Sequence, residues 1–529
     1  MKLDELRLRI DEADRKILEA FEERMNISKL IGEDKRLSGK AVFDPAREKD
    51  KISGLTKKAG YESRPYVGEL YEKIFEISRK HQEKPLFAVL GKSLPHTYSP
   101  MIHSMLTDSY TYTVAERDES GLDDMFKGGV YGGFNVTIPY KKEAAARCSV
   151  LSDEASATGA VNTVVFKDDG RAYGYNTDVF GFEYMLRDKD IDPDGKKCLI
   201  LGHGGAAAAV EYALRQMGSE EVIFAARRDE INFENVYDRC PDAELIVNCT
   251  PVGMYPEVDG EVVDLEKFPK CGAFADLIYN PHTTRMLMKA QRLGMKTAGG
   301  LMMLVAQAWK ASRIFEGKDT AIDEKEKEKI RSVFETVRSS MMNIVLIGMP
   351  GCGKTTLGRR LSKITGRDFI DLDEEYKRVF GESAADTIRS RGEDEFRKKE
   401  TEVASKILPL SGKVISCGGG IVTRDINRYY VRCNSTVVWL KRPLSVLAGE
   451  DRPVTAAKGV EAIYEERRAN YESWSDITLE ADAFCTGVEM QAGNARFSDN
   501  WITLYPGEAR TLTADRKVDK DELRVLWLE

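Results

Sequence analysis

Residues 343 to 356 read NIVLIGMPGCGKTT, an apolar strand pattern running into a glycine-rich loop that ends in Lys-Thr-Thr. The spacing matches G-x-x-x-x-G-K-[ST], in which backbone N–H groups wrap phosphates, the lysine reaches the terminal phosphates and the hydroxyl holds Mg²⁺. A second glycine turn, LILGHGGAAAA at 199 to 209, lies well upstream and also joins a strand pattern to a helical one. One chain therefore carries two different nucleotide-site patterns. At 529 residues it is too long for a single core, and about 100–200 residues per domain predicts three or four units.

Composition narrows the classes. With 42% hydrophobic and 31% charged residues the chain reads as ordinary globular domains, and a formal charge of −8 gives no reason to expect nucleic acid. Nine cysteines occur without a C-x-x-C pair, which reads as reduced thiols in a cytoplasmic protein. The N-terminus, MKLDELRLRIDEADRK, is charged from the second residue, and no uninterrupted apolar run reaches membrane-spanning length.

Residues 1–84 are rich in charged helix formers, with Pro only at 45 and 65, where it separates helices. From Phe87 short β-rich runs (LFAVLG, GGFNVTI, KCLILG, EVIFAA, ELIVNCT, AFADLIY) alternate with helical stretches, which predicts parallel sheets with crossover helices. Residues 85–320 form one such region, divided into about 85–190 and 191–295. The charged stretch 321–340 reads as a linker helix, a new strand–loop–helix unit occupies 341–485, and polar–aromatic alternation over 486–529 suggests a hairpin-like tail. The expected class is thus multidomain: an all-α N-terminal domain, an α/β region with a Rossmann part, an α/β P-loop unit and a short β-like tail.

In the first unit apolar residues recur at Leu3, Leu6, Ile10, Ala13, Ile17, Ala20/Phe21, Ile27 and Ile31, the spacing of a buried helix stripe. Arg24 and Lys35 fall on this helix eleven residues apart, within about 20° of each other, whereas Arg7 lies about 100° away. A second subunit is therefore the expected source of Arg7 at any shared ligand, which implies a homodimer. Asp44, Arg47 and Glu48 follow in DPAREKD, and Ser78 and Gln82 sit at i, i+4 on one face. Taken singly, each charge reads as a solvated or snorkelling side chain. Together the set resembles the active site of the all-helical chorismate mutases over about 1–84. The resemblance implies that Arg7, Arg24 and Arg47 hold a dicarboxylate, chorismate, since arginines bind carboxylates bidentately. It further implies that Lys35 and Gln82 donate to the ether oxygen and that Glu48 binds the ring hydroxyl.

Gly202, Gly204, Gly205, Ala206 and Ala207 supply the G-x-G-x-x-[GA] pattern of a dinucleotide loop. After the next strand pattern come Arg227 and Arg228, where an NAD-binding fold places an acid; arginines suit a 2′-phosphate and favour NADP. Upstream, LPHTYSPMIH, GFNVTIPYKK, GAVNTV and GYNTD contribute Thr97, Ser99, Asn135, Thr137, Lys141, Asn162 and Asp178, a donor and acceptor set suited to a polyhydroxylated acid. With NCTPVGM, DLIYNP and GGLMMLVAQA downstream, the order of motifs resembles shikimate dehydrogenase over roughly 86–317. The resemblance implies a catalytic pair of Lys141 and Asp178, with Thr97, Ser99, Asn162 and Gln307 gripping 3-dehydroshikimate or shikimate. Three positions depart from the family pattern: Thr97 stands for its usual serine, His203 occupies the glycine loop, and the cofactor signature reads Ala226-Arg227-Arg228. A quinate/shikimate dehydrogenase remains the alternative.

In the last α/β unit Gly348, Gly351, Gly353, Lys354, Thr355 and Thr356 form the phosphate loop. Asp371 and Asp373 follow a strand pattern, where they read either as helix caps or as site acids. Arg397 lies on a helix, Gly418, Gly419 and Gly420 end another strand, and Arg452 and Arg467 come later. The ensemble resembles shikimate kinase over roughly 343–482. That implies ATP and Mg²⁺ at Lys354, Thr355 and Asp371, Asp373 deprotonating the acceptor hydroxyl, Arg397 on the shikimate carboxylate, and Arg452 in a lid. The lid reads R-P-V-T where the family has R-P-L-L, so a degenerate kinase unit serving as a nucleotide-binding or scaffold module is the alternative. In the tail, FSDNWITLYPGE faintly resembles a strand pair of the terminal β-sandwich of mannosidase-like glycoside hydrolases.

Overall fold

Three helices open the chain: α1 Leu3–Leu37, α2 Pro45–Lys58 and α3 Val67–Glu83. Pro45 occupies the first turn of α2, where its missing N–H is harmless, and Asp44 caps that helix by accepting from Arg47 N at 3.1 Å. Pro65 sits in the 3₁₀ turn Arg64–Tyr66 that leads into α3. The computed structural model describes residues 3–38, 40–95, 97–127, 129–447, 458–480, 486–491 and 524–528. It divides into one unit of residues 1–195, 203–222 and 302–337 and another of 196–202, 223–301 and 338–529.

The stripe on α1 is a correction to the sequence expectation. Leu3, Ile10, Ile17 and Ile27 are 50–66% exposed in the single chain. The face that α1 presents to α3 contains Ser28 and Gly32, and a Cβ at Gly32 would lie 2.9 Å from Gln82 Cγ. The reason is length: α3 has 17 residues and α1 has 35, so much of α1 has no helix of its own chain to cover it.

The rest of the first unit is built on six strands: β1 Leu86–Gly91, β2 Thr111–Glu116, β3 Gly133–Val136, β4 Val150–Leu151, β5 Thr163–Phe166 and β6 Ala172–Tyr175, ordered β2-β1-β3-β5-β6-β4. β1, β2 and β3 pair in parallel, but β5 runs antiparallel to both β3 and β6. This sheet is mixed because β5 and β6 are joined by a short turn, which allows only antiparallel pairing. The helix Glu324–Met341, read as a linker, buries Ile330, Val333, Val337 and Met341, and its Glu326 accepts from Trp309 Nε1 at 2.6 Å. It is a packed element rather than a spacer.

A second sheet comprises β7 Lys197–Leu201, β8 Glu221–Ala225, β9 Leu245–Asn248, β10 Ala273–Asp276 and β11 Lys296–Gly299, in the order β11-β10-β9-β7-β8. A third has β12 Asn343–Ile347, β13 Phe369–Asp371, β14 Val414–Ser416, β15 Ser435–Lys441 and β16 Ile477–Glu480, all parallel, in the order β13-β14-β12-β15-β16. Near-continuous apolar strands such as Val345-Leu346-Ile347 are fully buried, as a sheet covered on both faces requires. In the tail β17 Thr486–Gln491 pairs antiparallel with β18 Arg524–Leu528. Among the described residues no helix is long and apolar enough to cross a membrane.

Candidate active sites

A cavity of about 250 Å³ lies among the first three helices, and Arg24, Lys35, Asp44, Arg47, Glu48, Ser78 and Gln82 all line it. Arg24 donates to Ser78 Oγ, and partial burial lowers its pKa against the opposing pull of Tyr71 and Glu48. Lys35 Nζ donates to the Val42 carbonyl at 2.6 Å, and Glu48 pairs with Arg79. Gln82 Nε2 donates to Ser28 Oγ at 2.8 Å while its Oε1 is buried without a partner. Exchanging the two ends of this amide would let Ser28 donate and free the NH₂ for a ligand. Arg7 does not line the cavity. It precedes Arg24 by 17 residues of one helix, about 25 Å at 1.5 Å per residue.

In the mixed sheet, Lys141 begins the helix Lys141–Arg147 and its Nζ donates to Asp178 Oδ2 at 2.5 Å. Asn162 Nδ2 donates to the other oxygen, Asp178 Oδ1, at 2.9 Å, so both ends of the carboxylate are held. Asn176 caps the helix Thr177–Asp188 by accepting from Asp178 N at 3.2 Å. Thr177 donates to Gln307 Oε1 at 3.3 Å, which ties Gln307 to this cluster. Asn135 accepts from Tyr112 OH at 2.6 Å and donates to Thr163 Oγ1 at 3.0 Å. Thr97 and Ser99 lie 3.2 Å apart through their hydroxyls, and a Cβ on Gly91 would meet Thr137 Cγ2 at 2.9 Å. His103, fully buried and stacked on Tyr112, has its pKa pushed down to about 3 by burial and stays neutral.

Gly202 follows β7 at φ +100°, with no room for a side chain because a Cβ would lie 2.8 Å from Thr250 Cγ2. Gly204 is the N-cap of the helix Gly205–Gln216, with Ala206 in its first turn. Arg227 and Arg228 are exposed in the turn after β8, and neither has an ion-pair partner among the described residues.

The phosphate-loop glycines Gly348, Gly351 and Gly353 have φ of +140°, +86° and +99°. Lys354 Nζ folds back to the carbonyls of Gly348 at 2.9 Å and Met349 at 3.0 Å. Thr355 Oγ1 donates to Asp371 Oδ2 at 2.8 Å, while Asp371 Oδ1 caps the next helix through Asp373 N at 3.0 Å. One oxygen of Asp371 thus caps the helix while the other holds the Thr355 hydroxyl. An adjoining cavity of about 400 Å³ is lined by Gly351, Gly353, Lys354, Thr355, Thr356, Asp373, Arg397, Gly418, Gly419, Gly420 and Arg467. Burial alone would lower the Arg397 pKa, but Glu400 at 2.7 Å and Glu393 at 2.9 Å more than offset this and raise it. A Cβ at Gly420 would lie 2.1 Å from the Arg397 guanidinium nitrogens, so a side chain there would displace the guanidinium. Arg467 donates to the Gly419 carbonyl at 3.1 Å and leaves Nε and Nη2 buried without partners. Arg452 lies outside the described residues.

Over 251 residues the chain is 34% identical to the shikimate dehydrogenase (NADP(+)) of Clostridium perfringens strain SM101, covering 44% of this chain and 92% of that protein. The chain belongs to the shikimate dehydrogenase family. The enzyme of the same description from Caldicellulosiruptor bescii is 36% identical over 258 residues, 44% of this chain and 89% of its own. A solved chorismate mutase/shikimate 5-dehydrogenase fusion protein from Clostridium acetobutylicum is 33% identical and covers 48% of this chain and 97% of that one, with a TM-score of 0.45.

The shikimate dehydrogenase substrate binding domain matches residues 89–164, with chorismate mutase type II at 6–83 before it and shikimate kinase at 350–486 after it. This dehydrogenase is thus one part of a trifunctional shikimate-pathway enzyme, and neither a degenerate kinase unit nor a quinate-directed middle unit is favoured. An Ig-fold domain of the mannosidase type matches 465–525. Its first ten residues fall in the helix Val460–Trp474, so that part is not an immunoglobulin strand.

Sequence reasoning missed Ser28, Arg79, Asn176 and Glu400. For Glu400 a signal existed, its i, i+3 spacing from Arg397 on one helix. Ser28 meets Gln82 across 54 residues and carried no such signal.

Proposed function

We propose that the three clusters act in order along the chain on chorismate, 3-dehydroshikimate and shikimate. The observation that carries this reading is the Lys141–Asp178–Asn162 chain, in which a half-enclosed lysine is held by a carboxylate whose other oxygen is already satisfied. Lys141 moves the proton at the substrate oxygen that changes between carbonyl and hydroxyl, and Asp178 orients it. Thr97, Ser99, Asn135, Thr137, Asn162 and Gln307 hold the ring substituents and carboxylate. NADPH supplies hydride and ATP with Mg²⁺ supplies the phosphoryl group. The residues present fit both: Arg227 and Arg228 offer two unpaired cations for a 2′-phosphate, and Thr355 beside Asp371 supplies the hydroxyl and carboxylate that hold Mg²⁺. Gly202, Gly204, Gly205 and Ala206 let backbone approach the pyrophosphate.

In the kinase, Asp373 accepts the proton of the attacking hydroxyl, Arg397 binds the carboxylate of shikimate, and Arg467 lines the same cavity. Gly418, Gly419 and Gly420 let the ring approach backbone, and Arg452 stabilises charge on the transferring phosphoryl group. Purified protein given 3-dehydroshikimate, NADPH and ATP–Mg²⁺ is expected to yield shikimate 3-phosphate. Shikimate accumulating without phosphorylation would separate the two activities and sink the sequential reading.

In the mutase, Arg24 and Arg47 bind the carboxylates, Asp44 and Ser78 position these groups, Glu48 takes the ring hydroxyl, and Lys35 and Gln82 stabilise charge on the ether oxygen. Losing one preorganised donor costs about 10²–10³ in rate. Lys35→Ala is expected to lower chorismate turnover by about that factor, and a near-normal kcat/KM would discard the role.

The uncovered face of α1 supports a homodimer in which the second copy covers Leu3, Ile10 and Ile17 and brings its own Arg7 to the cavity. Ile10→Glu with Ile17→Glu is expected to turn the dimer into a monomer by sedimentation and to remove mutase activity while reduction persists. A monomeric wild-type protein with full mutase turnover would end this proposal. The eight described cysteines, all free thiols, are consistent with work in a reducing cytoplasm.

A further inference from the structure

Within the second unit the helix Arg285–Arg292, which follows β10, packs against the helix Ile426–Cys433 of the kinase. Tyr429 OH donates to the Val258 carbonyl at 2.8 Å, Tyr430 OH to Asp259 Oδ1 at 2.7 Å, and Thr283 N to the Cys433 carbonyl at 2.9 Å. Val258 is 2% exposed and belongs to the kinase core. The two walls of this junction are therefore pinned by buried hydrogen bonds and apolar packing.

Between them lies a cavity of about 300 Å³ that belongs to none of the three sites, and it collects Arg285, Arg292, Arg428 and Arg432. The charges are unequally compensated. Arg285 pairs with Glu261 at 2.7 Å, and Arg432 donates to the Trp474 carbonyl at 2.6 Å and to Asp476 at 3.1 Å. Among the described residues neither Arg292 nor Arg428 has an ion-pair partner, and the one carboxylate in the lining, Asp425, is exposed. Met288, Ile426 and the buried Tyr429 supply an apolar side to the same cavity.

Two arginines without ion-pair partners among the described residues, contributed by two different domains, line one cavity, and an anion between them would offset their like charge. Guanidiniums bind phosphate and carboxylate through paired N–H donors. The volume is at the lower end of the range for small-molecule pockets and suits a head group with a small carbon body. We propose that this junction binds a small organic dianion, a phosphomonoester or a dicarboxylate, which bridges Arg292 and Arg428 and so links the dehydrogenase's cofactor-binding part to the kinase. The proposal is independent of the roles assigned above, because none of these arginines belongs to the catalytic clusters.

Hydrogen–deuterium exchange on the full chain, at constant ionic strength, tests it with glucose 6-phosphate, with succinate and with chloride alone. Either dianion is expected to slow exchange in 285–292 and 426–433 relative to chloride, and the one that does so names the head group. In Arg292→Ala/Arg428→Ala the concentration needed should rise roughly tenfold or more, the effect of losing a charge-assisted pair. Arg292→Ala alone, at an exposed position, provides the same comparison without risk to the fold. Inorganic phosphate protecting 348–356 equally in wild type and variant shows that the kinase loop is unharmed. Protection by neither dianion, or protection at the same concentration in the variants, overturns the proposal.

Discussion

Lys141→Ala is expected to remove reduction of 3-dehydroshikimate while NADPH still binds. The expected loss in kcat is about 10²–10⁴, the usual contribution of a positioned general acid or base. The physical basis is local. Lys141 Nζ meets Asp178 at 2.5 Å, and Asn162 holds the other carboxylate oxygen at 2.9 Å, so the carboxylate is already engaged by two donors. Truncation also leaves Asp178, 8% exposed, without its cation, a change that itself costs stability. Lys141→Met keeps the stem and separates the two effects. Fluorescence titration with NADPH reads cofactor binding, and steady-state assay reads chemistry. Near-normal turnover in either variant would remove Lys141 from the mechanism, and loss of NADPH binding would show a structural rather than a chemical role.

Asp373→Asn is expected to remove shikimate phosphorylation by a comparable factor, about 10²–10⁴. Asparagine preserves the shape of the side chain and the backbone N–H that Asp371 accepts at 3.0 Å. What it loses is the ability to take the hydroxyl proton. Because Lys354, Thr355 and Asp371 are untouched, ATP–Mg²⁺ binding should persist, and calorimetry with a nonhydrolysable analogue checks this. The dehydrogenase and mutase rates measured on the same preparation serve as internal controls for folding. Intact phosphorylation would mean that the acceptor hydroxyl is deprotonated elsewhere and that Asp373 only belongs to the first turn of its helix.

Much of this was legible in the residues because the relevant geometry is contiguous. The positive φ at Gly348, Gly351 and Gly353 follows from one loop, and the capping of α2 by Asp44 spans three residues. Other contacts were closed to sequence reasoning. Gln82 with Ser28 joins residues 54 apart, and Lys141 with Asp178, 37 apart, was named as a pair only through the family resemblance. The α1 stripe misled for a related reason. Its period is that of a buried helix, and periodicity says that a face is apolar without saying which chain covers it.

The sequence by itself determined the order of the units, the two phosphate-binding loops and the residue types of three sites, because short-range backbone geometry and chemical type are written into neighbouring residues. Only the tertiary structure decided that Arg397 is clamped by Glu400 and Glu393, that its guanidinium lies against Gly420, and that Arg292 and Arg428 line one cavity. Those outcomes depend on which helices pack together, and packing is settled by the shape and burial of surfaces far apart in the chain.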